Sequence, residues 1–347
     1  MLKKIVIVAC LMALPMLIAC GEKNEPAPTQ TVKPTTKEST VNSEKPTVIP
    51  TVIPTEKPSE QPKISDTVKA TVFAELEGEV SAGIIFDNNK IMYVAKNEEL
   101  LKITPDGKVS TFCSFKDLPK GLDYYFTSPL IWDMTFDKDG NILAAAQDRI
   151  FKITPKGKVT TLIREDFKGF LGASGIECDK QGNMYITNGN TIDKYSPKLE
   201  KTTFIDGADK GYTSFFSLEF DSEGKNLYVT DFFTKSLLKY EIDSEGKASN
   251  TPTEIVKEPI KNSGDYGAPL NITFSENDNM YVSIDGMNQI LKMDTSGKIE
   301  FLVLGEEAIS NHIIAFGGKG FDEESFYITT YEGKKVYEYK VGEKAKK

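Results

Sequence analysis

The chain has 347 residues with 42 Lys+Arg against 51 Asp+Glu, a formal net charge of −9. A chain this acidic has no bulk positive charge with which to hold a phosphate backbone, so nucleic acid is not expected as a partner. A single histidine, His312, excludes sites built from several His ligands and leaves a Ser-His-Asp triad only one possible centre. There is no GxGxxG, and Gly317-Gly318-Lys319-Gly320 lacks the spacing and the following Ser/Thr of a P-loop.

In chain order, Lys3 and Lys4 precede an apolar run from Ile5 to Ile18 that ends Leu17-Ile18-Ala19-Cys20-Gly21. A positive start, a short apolar stretch and a small residue before the cut read as a secretory signal over residues 1–19. The run is short for a membrane span, and no basic stop follows it. The Cys at the cut resembles the lipobox of bacterial lipoproteins. That resemblance implies lipidation of Cys20, attachment to the membrane through that lipid, and an extracytoplasmic location for everything that follows. A diacyl or triacyl anchor of this kind holds stably where a single chain does not. Residues 20–66 then read as a tether, with Pro at 46, 50, 54, 58 and 62 among Thr, Val, Glu and Lys. Such a segment buries no core and favours extended polyproline II, at about 3.1 Å per residue.

A repeat begins after residue 66. The pattern is an apolar pair, Phe or Cys, an Asp-like turn, an aromatic strand, a second apolar strand, a Gly-Lys turn and a fourth strand. It appears as GIIFDNNKIMYVA (83–95), DMTFDKDGNILAA (133–145), GIECDKQGNMYIT (175–187), SLEFDSEGKNLYVT (217–230), NITFSENDNMYVS (271–283) and IIAFGGKGFDEESFYIT (313–329). The anchoring Phe/Cys falls at 86, 136, 178, 220, 274 and 316, spaced by 50, 42, 42, 54 and 42. Short alternating strands, frequent turn signals and a period near 42 read as four-stranded propeller blades, none of which can bury its faces alone. The sixth unit supplies only three strands. KATVFAEL (69–76) matches the fourth-strand pattern and is expected to complete it. The expected fold is all-β: a six-bladed propeller over residues 67–341, followed by a Lys-rich tail at 342–347.

The Asp-rich turns, such as Asp137-Lys138-Asp139-Gly140-Asn141, start like calcium loops but lack the far Glu. They are expected to be hairpin turns that use Asp, Gly and Asn for their backbone chemistry. With Cys10 in the signal and Cys20 at the anchor, Cys113 and Cys178 remain. They lie in different repeats and are expected as two buried thiols.

Ala315-Phe316-Gly317-Gly318 and Phe326-Tyr327-Ile328-Thr329-Thr330 in the last unit resemble the closing stretch of the SMP-30/gluconolactonase family, although the repeats also resemble NHL-type propellers. The resemblance implies a lactone or ester hydrolase with one divalent cation such as Ca²⁺ at the ring axis, held by Glu, Asn and Asp at the openings of the innermost strands. Here those openings read Ala82, Trp132, Ser174, Phe216, Leu270 and His312. The family's Glu is replaced by Ala82, its Asn by Phe216 and its Asp by Leu270. Calcium takes six to eight oxygen ligands, which this ring does not offer, and a one-residue slip adds only Asp133 and Asn271. No cofactor and no metal ligand is therefore expected.

The loops that lead into the innermost strands are rich in aromatics: Tyr124, Tyr125, Phe126, Phe167, Phe170, Tyr212, Phe215 and Tyr266. Aromatic loops over an apolar axis suit sugar rings, apolar ligands or cations held on π-faces. The expected binding set is Tyr124, Tyr125, Trp132, Ser174, Tyr212, Phe216, Tyr266, Leu270 and His312. The expected ligand is a small molecule, a glycan or a protein, bound without catalysis by a monomer. The alternative, which the resemblance implies, is a metal-dependent lactonase or esterase with a rebuilt site, in which His312 is the base and Asp133 or Glu307 its orienter.

Overall fold

The computed structural model describes residues 63–78, 83–96, 98–116, 118, 130–169, 172–257, 267–305, 312–330 and 333–346. Two strands enter first, β1 (Lys63–Val68) and β2 (Ala70–Glu75). Six antiparallel units follow. Blade 1 is β3 (Ile84–Phe86), β4 (Met92–Lys96), β5 (Glu99–Ile103) and β6 (Val109–Ser114). Blade 2 is β7 (Ile131–Phe136), β8 (Ile142–Ala146), β9 (Arg149–Ile153) and β10 (Val159–Arg164). Blade 3 is β11 (Ile176–Cys178), β12 (Met184–Asn188), β13 (Thr191–Tyr195) and β14 (Lys201–Asp206). Blade 4 is β15 (Phe215–Phe220), β16 (Asn226–Asp231), β17 (Ser236–Glu241) and β18 (Thr253–Lys257). Blade 5 is β19 (Pro269–Phe274), β20 (Met280–Ile284), β21 (Gln289–Met293) and β22 (Ile299–Leu304). Blade 6 is β23 (His312–Phe316), β24 (Ser325–Thr330) and β25 (Lys335–Lys340). The protein is a six-bladed β-propeller, as the repeat predicts.

The ring closes as expected. β2 pairs antiparallel with β25, from Ala70 opposite Tyr339 to Glu75 opposite Lys335, and so completes blade 6 with a strand from the start of the chain. At the adjoining seam, Phe73, Phe86, Phe321 and Tyr327 meet edge-on or tilted, with centroids 4.9–5.6 Å apart. Both glycines of the closing stretch have a steric reason: a Cβ on Gly317 would lie 2.1 Å from the Asp322 carbonyl oxygen, and Gly318 abuts blade 1. A Cβ there would lie 2.5 Å from Cβ of Phe86, so only glycine lets the blade 6 turn rest on blade 1.

One element extends beyond the sequence reading. β1 adds to blade 5 as a fifth strand, parallel to β22. It begins at Lys63, inside the stretch read as tether through residue 66. Pairing there removes an open row of backbone donors and acceptors from the edge of blade 5.

The hairpin turns behave as the Asp pattern requires. Asp137 Oδ1 accepts the backbone N–H groups of Asp139 and Asn141, and the Asn141 side-chain amide donates to both Asp137 oxygens. Asp179 in blade 3 repeats the arrangement. These carboxylates satisfy turn amides, which is what an Asx turn does. Cys113 and Cys178 are both free thiols; Cys113 is buried, while Cys178 is only partly so.

Closure by β2 carries a direct expectation. A chain starting at residue 69 keeps β2 and folds, whereas one starting at residue 77 loses Ala74, Leu76 and the Phe73 ring and leaves β25 as an open edge. Thermal melting and size exclusion should separate the two. The shorter chain is expected to melt lower by at least about 10 °C and to aggregate, given the several kcal/mol of core it lacks.

Candidate binding site at the channel mouth

Three of the innermost strands are irregular at the same place. In blade 2, Ile131 pairs with Ala146 and Asp133 with Ala145, which leaves Trp132 as an extra residue. In blade 4 the register shifts between Phe215 and Leu218, and in blade 5 between Pro269 and Ile272. These are β-bulges, which break strict alternation and re-aim a side chain. The residues in the bulges include Trp132, Phe216 and Leu270. All three are buried and join one apolar cluster with Ile313 of blade 6 and Ile84 of blade 1. The Trp132 and Phe216 rings meet edge-on at 5.7 Å.

A bulge frees backbone amides that must be satisfied. The second strand supplies the acceptors. In the bulges of blades 4 and 5, Thr230 Oγ1 accepts from Ser217 N–H and Ser283 Oγ accepts from Asn271 N–H; at the same level of blade 3, which has no bulge, Thr187 Oγ1 accepts from Ser174 and Gly175 N–H. This is why the second strands read Tyr-Ile-Thr, Tyr-Val-Thr and Tyr-Val-Ser.

The same polar residues tie each blade to the next. Gly83 N–H donates to the Ile131 carbonyl at 3.1 Å. Asp133 Oδ2 accepts Ile176 N–H at 3.1 Å, and Ser174 Oγ donates to the Phe216 carbonyl at 3.0 Å. Ser217 Oγ accepts Ile272 N–H, Thr230 Oγ1 donates to the Leu270 carbonyl, and Asn271 Oδ1 accepts Ile314 N–H. The belt runs from blade 1 through blade 6.

This geometry bears on a metal. Of the innermost-strand openings, Trp132, Phe216 and Leu270 are in apolar contact. Ser174 is buried and bonded to backbone. Asp133 and Asn271, the residues a one-place slip would recruit, have their oxygens engaged by belt amides; the other Asp133 oxygen takes Met134 N–H at 2.8 Å. The donor set does not fit a hard cation. Among the described residues, no group of three or more His, Cys, Asp or Glu side chains is arranged to hold a metal. Asp133 is also an encumbered partner for His312 as a base, since both its oxygens already accept.

Ala82, Tyr124, Tyr125 and Tyr266 lie outside the described residues, and of His312 only the backbone, opening β23, is described. Tyr212 does not join the axial cluster. It packs in the seam between blades 3 and 4, its ring 6.0 Å from Phe215. Two residues absent from the sequence reading do join the site. The β16–β17 hairpin lies at the same end of the ring, held by Phe232 N–H donating to the Ser214 carbonyl. The Phe232 ring lies tilted 6.3 Å from Phe216, and Phe233, with 52% of its surface exposed, meets Phe232 edge-on at 5.4 Å. A row of rings therefore runs from the buried axis at Trp132 to solvent at Phe233. Adjacent aromatics after a strand, Asp231-Phe232-Phe233, were the available signal, but they sit in a hairpin within a blade rather than in a loop between blades.

A propeller with an apolar axis and an aromatic ramp at one mouth is the class defined by this geometry. The SMP-30/gluconolactonase/LRE-like region model matches residues 97–332, more than half of the chain, and the protein belongs to that family. No curated protein matches it in sequence. Among solved structures it is similar to a gluconolactonase from Xanthomonas campestris (10% identity, TM-score 0.60, covering 82% of this chain and 95% of that one). It is also similar to an auxiliary nutrient binding protein from Bacteroides thetaiotaomicron (15% identity, TM-score 0.58, 76% and 69% covered). A streptogramin B lyase shares the architecture as well (17% identity, TM-score 0.53, 78% and 86% covered). At these identities the likeness is one of fold.

Burial raises the Asp133 carboxyl to about 7, the effect of the Ile176 and Met134 N–H groups opposing it and the charge of Glu219 adding to it. The folded protein therefore binds this proton more tightly than the unfolded chain does. The associated stability is complete at acid pH and is lost as pH rises from about 4 to about 7. Asp133→Asn should remove that slope. The Tm of the variant relative to the unsubstituted protein is expected to move in the variant's favour between pH 4 and pH 8, measured by calorimetry at fixed ionic strength.

Proposed function

We propose that this protein is an extracytoplasmic lipoprotein, anchored through Cys20, whose propeller binds a small molecule, glycan or protein at the aromatic mouth of its channel without chemistry of its own. The observation that carries this reading is the continuous apolar path from Trp132 and Phe216 through Phe232 to exposed Phe233, standing where the family's enzymes hold a cation. A graded set of ring faces binds the flat faces of sugars and other ring compounds, and needs no metal to do so. The auxiliary nutrient binding proteins among the structural neighbours support a binding role on this fold. The gluconolactonases support the second reading, a hydrolase with a rebuilt site.

Trp132 is the only tryptophan of the chain. Its fluorescence is therefore a built-in reporter of the axis. Titration with glycan and metabolite panels is expected to shift or quench it, and Phe233→Ser is expected to weaken the response roughly tenfold, the share of one aromatic contact. Excess EDTA should leave the Tm within about 1 °C. A fall of several degrees, restored by Ca²⁺, would show a bound cation linked to folding and would turn the reading to the hydrolase. Loss of membrane fractionation on Cys20→Ala tests the anchor separately.

A further inference from the structure

At the end of the ring opposite the mouth, where the innermost strands finish, the chain crosses back over two blades. After β25, Gly342 takes φ 78° and turns the backbone. Ala345 then pairs with Ser275, Glu276 N–H donates to the Lys344 carbonyl, and Lys346 N–H donates to the Phe274 carbonyl. Glu343 is fixed to blade 5 by Asn279 at 2.7 Å and Lys292 at 2.5 Å. Although burial opposes its ionisation, these donors hold its carboxyl down to about 2. The strap thus starts from blade 6 and crosses blade 5, and its last described side chain reaches blade 4.

That side chain ends in a shaped site. The Lys346 ammonium donates to Glu219 Oε1 at 2.7 Å and to the Phe220 carbonyl at 2.6 Å, and lies 5.3 Å from the centroid of the Phe274 ring. Lys346 and Glu219 are only 21% and 22% exposed. Glu177 of β11 and Asp278 of the β19–β20 turn act on the ammonium electrostatically from two further elements. A carboxylate, a carbonyl and an aromatic face are the three groups that suit a primary ammonium, and part-burial strengthens each contact. Burial alone would lower the lysine's pKa, but Glu219, with Glu177 and Asp278, raises it above its ordinary value. Burial likewise raises Glu177, with the Glu219 charge adding and Lys346 opposing. The site is recognised by the ammonium already seated in it and not by the carboxylates alone.

We propose that Glu219, the Phe220 carbonyl and the Phe274 ring form a primary-ammonium binding site, that Lys346 is its tethered ligand, and that residues 342–346 are a latch which a free alkylammonium can displace. The latch joins blades 6, 5 and 4 without covalent closure. It opens when another amine occupies the site.

Hydrogen exchange and thermal melting on the full chain test this with n-butylammonium as the probe. In Lys346→Ala, amide exchange in 341–346 should rise at least tenfold while the blade strands stay protected. n-Butylammonium should raise the Tm of Lys346→Ala by a few degrees, where tetramethylammonium at equal ionic strength does not, and it should do nothing for Lys346→Ala/Glu219→Gln. In the unsubstituted protein, high n-butylammonium should speed exchange of the strap alone. The proposal is overturned if strap exchange is the same with and without Lys346, or if the two ammonium salts act alike on Lys346→Ala. It is equally overturned if the double variant responds as the single one does.

Discussion

The belt of hydrogen bonds between neighbouring innermost strands is the constraint on which the rest of the structure depends. A propeller blade has no partner for its inner edge except the blades beside it, so six wedge-shaped sheets must be held at one radius. Here Asp133, Ser174, Ser217, Thr230 and Asn271 each bridge to a backbone group of the following blade. Each is a short polar side chain beside a bulge or bend, able to reach across the seam because the local strand twist turns it there. Remove a partner and a buried amide or carbonyl is left unpaired, which costs about 1–3 kcal/mol per group.

From that belt follows the character of the axis. Oxygen donors that could have pointed at a metal are instead engaged sideways, and the bulges turn Trp132, Phe216 and Leu270 inward in their place. Truncating an aromatic in such a cluster costs about 3–5 kcal/mol, so the apolar ring is part of what stabilises the propeller as well as the floor of its mouth. The family membership and the altered axis are compatible. The scaffold rests on repeated turns, seams and belt contacts shared by all blades, while the chemistry rests on a handful of positions that those contacts leave free.

Much of this was legible in the residues. The six anchors, the Asp-capped hairpins and the spare fourth strand at 69–76 follow from local periodicity and turn chemistry, which a sequence displays directly. The register of the axial ring did not. Side chains alternate with period two along a strand, and a bulge adds one residue, so sequence alone cannot say whether Trp132 or Asp133 faces the axis. The structure's answer is that Trp132 joins the apolar cluster while Asp133 reaches the next blade. Phe232 and Phe233 were hidden for another reason: they lie in a hairpin inside blade 4, and only the assembled ring brings that hairpin beside Phe216. The seat of Lys346 was illegible too. Its partners stand at positions 219, 220 and 274, and a terminal run of lysines looks like a solvated tail until the fold places an acid beneath it.

β1 has a geometric consequence for presentation. It runs parallel to β22, whose direction is from the far end of the ring towards the mouth. The backbone therefore enters the propeller at Lys63 on the outer rim of blade 5, at the end away from the aromatic ramp. The backbone that adds to this edge thus meets the ring on the side away from Phe232 and Phe233.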